Sequence, residues 1–243
     1  MLELRNVSFV VEDRAEPILN NVSFTIQKGK FTVITGPNGG GKSTLAKIIM
    51  GIEKPTSGRI FFEGEDITDL SVHERAKLGI GYAFQQPPRF KGMTVAHLMG
   101  LAAGGDMSED TCCAYLAQVG LCTKDYVRRE VDSSLSGGEV KRIEIATLLA
   151  RKLKLAIYDE PEAGIDLWSF SMLVETFDRL AKSGDQSMII ISHQERIIRL
   201  AQEIVIVVDG KIGRHGTSDE MMSMLMNEVD AACNYSCVAQ IEN

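Results

Sequence analysis

No stretch of the 243 residues approaches the roughly 18 consecutive apolar residues that a membrane-spanning helix needs. Met1 to Arg5 show no basic cluster leading into an apolar run. A cytoplasmic protein without direct membrane insertion is expected. Excess basic charge is also missing: 26 Lys and Arg stand against 33 Asp and Glu, a formal net charge of -7. Attraction to phosphate backbones comes from clustered cations, so nucleic acid is not an expected partner. Cysteine is sparse. Cys112, Cys113, Cys122, Cys233 and Cys237 are odd in number and match no pair of CxxC motifs, which argues for free thiols in a reducing compartment. Internal repeats and low-complexity segments are absent.

What is present is ordinary globular composition, 44% apolar and 24% charged, long enough for one core with a smaller inserted lobe. Glu3–Val10, Ile18–Ile26 and Arg59–Phe62 alternate as strands of an antiparallel edge sheet. Lys30–Thr35 reads as a buried strand that enters a glycine-rich turn and then the helical pattern Lys42–Met50, stopped by Gly51. From Phe90 to Arg129 the periodicity is helical, in Thr94–Ala103 and Asp110–Gly120, with a break at Gly104-Gly105 and no convincing strand. The βα pattern then returns, with strands at Leu155–Tyr158 and Met188–Ile191 around the helical stretch Ser169–Lys182. Asp209-Gly210, between Ile204–Val208 and Lys211-Ile212, marks a two-residue hairpin.

Three segments carry chemistry. Gly36-Pro37-Asn38-Gly39-Gly40-Gly41-Lys42-Ser43-Thr44 fits GxxxxGK[ST] between a strand and a helix. Its backbone amides and the helix N-terminus suit phosphates, Lys42 suits the β- and γ-phosphates, and Ser43 suits Mg²⁺. Asp159-Glu160 closes the apolar run Leu155–Tyr158, so both carboxylates emerge where α/β sheets place their ligands. Asp159 is assigned to Mg²⁺ through its water shell and Glu160 to the attacking water. Leu135-Ser136-Gly137-Gly138-Glu139, ahead of a helix read as Val140–Arg151, offers a hydroxyl and small-residue amides as a second anion nest.

That last segment closely resembles the LSGGQ signature of ATP-binding-cassette ATPases, and the resemblance covers about residues 1 to 220. It implies an α/β P-loop NTPase of ABC-ATPase type, with a mainly parallel core, an antiparallel β lobe and an inserted helical lobe. Residues 1–86 and 154–243 would form the core and 87–153 the signature lobe. It implies ATP and Mg²⁺ as ligands, ATP hydrolysis, and a head-to-tail, ATP-dependent homodimer in which Ser136, Gly137, Gly138 and Glu139 face the nucleotide held by the partner's Lys42 loop. Gln85, with Gln86 as the competing choice, matches the glutamine that senses Mg²⁺ and the γ-phosphate. Asp166 matches the loop that crosses the dimer, and His193 the switch histidine. An aromatic that commonly stacks on adenine is missing at the matching place, Val10 or Val11, and the signature ends in Glu139 instead of Gln.

Ser136–Arg142, read as SGGEVKR, resembles the SGGExKR form of the ATPase in SUF-type iron-sulfur cluster assembly. Ala83–Pro88 with Gly92 resembles the same family, as does Val11-Glu12-Asp13 without an aromatic. This implies a soluble SufB/SufD-like scaffold as partner, gripped through the helical lobe and Gln85–Gly92. Direct cluster ligation by the cysteines is not expected, since their spacing is unspecific. The alternative is the motor of an ABC importer, in which the same loop grips a membrane permease. The methionines at 221, 222, 224 and 226 are read as packing on a terminal helix, and Val229–Asn243 carry no reading.

Overall fold

The computed structural model describes residues 1–11, 16–121 and 124–221. The expectations placed on Glu12-Asp13, Cys122, Met222, Met224, Met226, Cys233 and Cys237 lie outside the described residues. Strands β1 (Leu2–Phe9) and β2 (Leu19–Ile26) form the antiparallel pair that their alternation demands, with Leu2 opposite Ile26 and Phe9 opposite Leu19. Strand β3 (Phe31–Thr35) is buried at every residue and leads into helix α1 (Lys42–Met50), which Gly51 ends in a left-handed cap. Strand β4 (Ser57–Phe62) pairs with β1 and with the short β5 (Glu65–Asp66), giving a four-stranded sheet in the order β2-β1-β4-β5.

Helix α2 (Val72–Lys77) follows, opened by a capping box between Ser71 and Glu74, and then strand β6 (Ile80–Ala83), fully buried. The inserted lobe begins with β7 (Phe90–Thr94) and continues through helices α3 (Val95–Ala103), α4 (Glu109–Gln118) and α5 (Lys124–Val127). It then runs through β8 (Glu130–Val131) into α6 (Gly137–Leu149). β7 and β8 correct the expectation that this region has no strand: they pair antiparallel, Phe90 with Val131 and Thr94 with Glu130, around an irregularity. Their pairing joins segments far apart in the chain. The run Phe90-Lys91-Gly92-Met93-Thr94 has no alternation by which local reading finds it. A second correction concerns α6, which starts at Gly137 instead of Val140.

The remaining elements are β9 (Leu155–Asp159), α7 (Leu167–Ser183), β10 (Ser187–Ile191), α8 (Glu195–Ile198), β11 (Glu203–Val208) and β12 (Lys211–Thr217). They complete a six-stranded sheet in the order β12-β11-β3-β10-β9-β6, parallel from β11 to β6 with the hairpin strand β12 antiparallel at the edge. Strands β3, β9 and β10 are buried at every residue, as a sheet covered on both faces requires. Two apolar clusters flank it. One, with Val33, Ile190, Ile143 and Phe177, joins the sheet to the helical lobe and α7. The other, with Ile34, Ile48, Ile60 and Ile157, joins it to α1 and the antiparallel sheet. One side chain locks that second layer: Arg75 of α2 is 1% exposed and donates to the carbonyls of Ile48, Ile49, Thr68 and Leu70. It thereby adds a buried donor to the last carbonyls of α1, of which Ile48 also accepts the Gly51 N–H at 3.1 Å. No helix among the described residues is long and apolar enough to cross a membrane.

Candidate functional site

The carboxyl ends of the adjacent strands β3, β10 and β9 converge on one cleft of about 710 Å³, where a parallel sheet places its ligands. The loop after β3 supplies one wall. Two of its glycines are needed for a reason the motif alone does not disclose. A Cβ on Gly36 would stand 2.1 Å from the Val207 carbonyl oxygen, and one on Gly41, at φ 99°, would meet Leu19 and Ile18. The β11–β12 hairpin and β2 press on the outside of the loop, so these glycines serve packing as much as phosphate access. Accordingly Gly36, Pro37 and Gly40 stay behind the cleft, whereas Asn38, Gly39, Gly41, Lys42, Ser43 and Thr44 line it.

Helix α1 opens on Gly41 with no side-chain cap. Each of α3, α4, α6 and α7 receives a cap from Thr94, Ser108, Ser136 or Asp166. The first-turn amides of α1 thus have no side-chain acceptor, the state suited to an anion. Lys42, 6% exposed, folds over the loop and donates to the carbonyls of Gly36 and Pro37 at 2.8 Å each. Burial lowers its pKa, and the nearby Glu160 and Asp159 pull in the opposite direction.

Ser43 donates to Asp159 Oδ1 at 2.9 Å, and Tyr82 donates to Oδ2 at 2.8 Å. Both oxygens of this 1% exposed carboxylate are therefore held, and burial still pushes its pKa up. A negative charge kept in so dry a place calls for a cation, and the hydroxyl, carboxylate and amide oxygens of Ser43, Asp159 and Gln85 are hard donors of the kind Mg²⁺ takes. Gln85 Nε2 donates to Glu160 Oε2 at 2.6 Å and lines the cleft; Gln86 does not line it. Glu160 itself is strained. Its φ is 45°, in the left-handed region that a side chain disfavours, and its N–H is anchored on the Ile191 carbonyl at 3.0 Å. His193, just beyond β10, lines the opposite wall; burial and then the Lys42 charge lower its pKa, which favours the neutral ring.

Two carboxylates belong to this neighbourhood that motif reading passed over. Glu162 lines the cleft, accepts from Ser192 at 2.6 Å, and is pushed up by burial with its second oxygen unpartnered. Its signal was present as the third acid in Asp159-Glu160-Pro161-Glu162. Glu144 of α6 accepts the Phe84 N–H at 3.0 Å and so holds the turn that presents Gln85. Burial pushes this carboxyl up to about 7, and no sequence motif marks it. Lys141, on the same face of α6 and 1% exposed, ties the lobe to the same place by donating to the carbonyls of Phe84 and Asp159.

Ser136, Gly137, Gly138, Glu139 and Asp166 do not line the cleft within a single chain. Ser136 caps α6, so the segment lies in the first helical turn and not ahead of the helix. The Glu139 carboxylate is turned inward, accepting from Ser136 N–H at 2.7 Å, from Tyr126 and from Arg129. Burial, the largest single influence, pushes it up, but these donors outweigh burial and hold it at about 2. Glu139 therefore completes a capping box and adds no free charge toward a ligand. Asp166 caps α7 by accepting from Trp168 and Ser169 N–H at 3.1 and 3.0 Å, so its carboxylate also has local work. The apolar place expected at Val10 and Val11 has an aromatic neighbour: Phe9 lines the same shallow pocket, which shares Ile18 and Thr44 with the main cleft. Among the described residues no cluster of three metal-ligating side chains of the His, Cys, Asp and Glu kind occurs.

Residues 19–163 match the ABC transporter family. An uncharacterized ABC transporter ATP-binding protein from Methanocaldococcus jannaschii is 39% identical over 84% of this chain and 84% of its own length. The sulfate/thiosulfate import ATP-binding protein CysA from Brucella melitensis is 31% identical over 90% of this chain, which spans 62% of that relative. A dimeric ATP-binding cassette in a post-hydrolysis state, with ADP and phosphate bound, superposes with a TM-score of 0.80 at 26% identity. The match covers 90% of this chain and 99% of that one.

Proposed function

Because this chain belongs to the ABC transporter family of ATP-hydrolysing cassettes, we propose that it is the motor subunit of a larger machine, closing as a homodimer on ATP and Mg²⁺. The observation that carries this reading is the convergence of Lys42, the Ser43–Asp159 pair and the Gln85–Glu160 pair at the ends of adjacent parallel strands. Asn38, Gly39 and Gly41 with the α1 amides cradle the phosphates, and Lys42 swings from the loop carbonyls to the β- and γ-oxygens. Ser43, Asp159 and Gln85 would hold Mg²⁺, which when bound neutralises charge on the phosphates. Glu160 polarises the attacking water, with Gln85 fixing its orientation, and neutral His193 donates toward the γ-phosphate.

Ser136, Gly137 and Gly138 complete the site from a second protomer, since they stand away from the cleft in their own chain. A similar cassette that is dimeric with ADP and phosphate bound supports the dimeric part of this reading. Glu160→Gln tests the chemistry. Retained ATP binding with loss of turnover, and a dimer visible by size exclusion, is expected; turnover at the wild-type rate refutes the assignment.

The partner is read from a groove beside Gln85, lined by Phe84, Pro88, Phe90, Leu98 and Val140, with Phe84 and Phe90 exposed at 36% and 38%. Importer and transporter names among the relatives favour a membrane permease in that groove. A second reading rests on SGGEVKR: its Lys141 ties the lobe to the Phe84 turn, and the same sequence form resembles SUF-type ATPases, whose partner is a soluble SufB/SufD-like scaffold. Affinity purification from separated soluble and membrane fractions decides between them. A polytopic permease from membranes supports the first, and a stoichiometric soluble scaffold that accepts iron and sulfide supports the second.

A further inference from the structure

Strand pairing decides what can reach the buried Asp159 carboxylate. Strands β6 and β9 run parallel with Tyr82 opposite Ile157. Alternation puts Ile157 and Asp159 on one face of β9, and Tyr82 packs in the same apolar cluster as Ile157, so its ring lies on that face too. Two residues of strand advance about 6.6 Å, a distance that a phenol spans from backbone to hydroxyl. A tyrosine level with Ile157 therefore ends beside Asp159, and its hydroxyl donates to Oδ2 at 2.8 Å. Phenylalanine in the same place would bring an apolar edge to a buried carboxylate.

Burial alone does not account for this bond. Tyr158, one residue before Asp159 and in the cluster on the other face of the sheet, keeps its hydroxyl buried with no partner among the described residues. The same sheet thus tolerates an unpaired phenol. An ionised carboxylate only accepts, so the Tyr82 proton points at Asp159. Ser43 holds Oδ1 from α1 and Tyr82 holds Oδ2 from β6, and two donors on opposite sides fix the rotation of the carboxylate. Of its roughly four lone-pair sites about two are left, aimed in a set direction, for the water shell of a cation. The Phe84 ring, edge-on to Tyr82 with centroids 4.9 Å apart, braces the phenol. We propose, on the reading of this cleft as an ATP and Mg²⁺ site, that Tyr82 is a positioning residue of the reaction, acting through Asp159 to set the geometry in which Mg²⁺ is held. It lies outside the phosphate loop, the carboxylate pair and the signature turn.

Tyr82→Phe removes one oxygen and keeps the ring with its packing, and its thermal midpoint without nucleotide checks that the fold is intact. In the full-length chain, affinity for AMP-PNP, which is not hydrolysed, is measured once with Mn²⁺ and once with EDTA, and free Mn²⁺ is counted by its electron paramagnetic resonance signal. The wild-type chain should bind the nucleotide more tightly with the metal. In Tyr82→Phe that gain should fall by about tenfold, the usual scale for losing the partner of a metal-holding group, with affinity in EDTA unchanged. Half-saturation of turnover should likewise need about tenfold more Mg²⁺. An equal gain in both chains overturns the proposal and leaves the reading of the cleft standing. Affinity lost alike with and without metal assigns Tyr82 to packing alone and also overturns it. No gain from metal in the wild-type chain overturns the Mg²⁺ reading itself, and the role of Tyr82 with it.

Discussion

Replacing Glu160 by glycine and, separately, by alanine isolates what its backbone costs. Both changes delete the same carboxylate, so relief of repulsion within the Asp159, Glu160 and Glu162 group is common to the two and cancels in the comparison. Both keep the N–H bond to Ile191. What differs is the Cβ at φ 45°. A side chain in the left-handed region costs about 1–2 kcal/mol, and the greater freedom of glycine in the unfolded chain returns about 0.4–1 kcal/mol. The glycine variant should therefore be the more stable by about 0.5–1 kcal/mol, or roughly 1–4 °C in thermal midpoint for a chain of this length. Thermal unfolding without nucleotide, followed by circular dichroism, reads the difference. An alanine variant that melts at or above the glycine variant would show that Glu160 is not held under backbone strain. Neither variant should hydrolyse ATP, so a strained conformation would be retained here at the expense of stability for the sake of the carboxylate it aims.

Arg75→Gln leaves the carbonyls of Ile48, Ile49, Thr68 and Leu70 without their buried partner, and a loss of about 3–5 kcal/mol in urea unfolding is expected. Glu144, pushed up to about 7, binds its proton more tightly when folded than when unfolded, so its contribution to stability is greatest at low pH and declines as pH rises from about 4.5 through 7. Glu144→Gln should flatten that decline in thermal midpoint, and an unchanged slope would mean the group does not titrate there. Glu144→Leu, by contrast, removes the oxygen that accepts the Phe84 N–H, so its turnover should fall more than its nucleotide affinity.

The architecture was largely legible because its signals are local. The buried run Phe31–Thr35, the glycine-rich turn and Lys42–Met50 give strand, loop and helix without reference to anything distant, and α1 has the bounds its pattern predicts. The β7–β8 ribbon was not legible, since Phe90–Thr94 becomes a strand only by meeting Glu130-Val131 across the inserted helices. Within the site, Lys42, Ser43, Asp159, Glu160, Gln85 and His193 were named by motif and come together in space. The local duties of Glu139 and Asp166 were hidden: whether an acid serves a ligand or a helix cap depends on rotamers and neighbours such as Tyr126 and Ser169. Arg75 and Glu144 carried no signal at all, because a charged residue in an amphipathic helix pattern is ordinarily read as solvated.

The claim on which the account turns is that each active site is shared between two chains, and mixing two dead variants tests it. Lys42→Ala removes the phosphate half and Ser136→Arg removes the signature half, so each alone should be inactive. A heterodimer of the two holds one wholly intact composite site. Random pairing makes half of the dimers mixed, with one of two sites restored, so the equimolar mixture should regain about a quarter of wild-type ATP turnover. Activity of the mixture no greater than that of the separate variants, with both shown to be folded, would contradict the shared site.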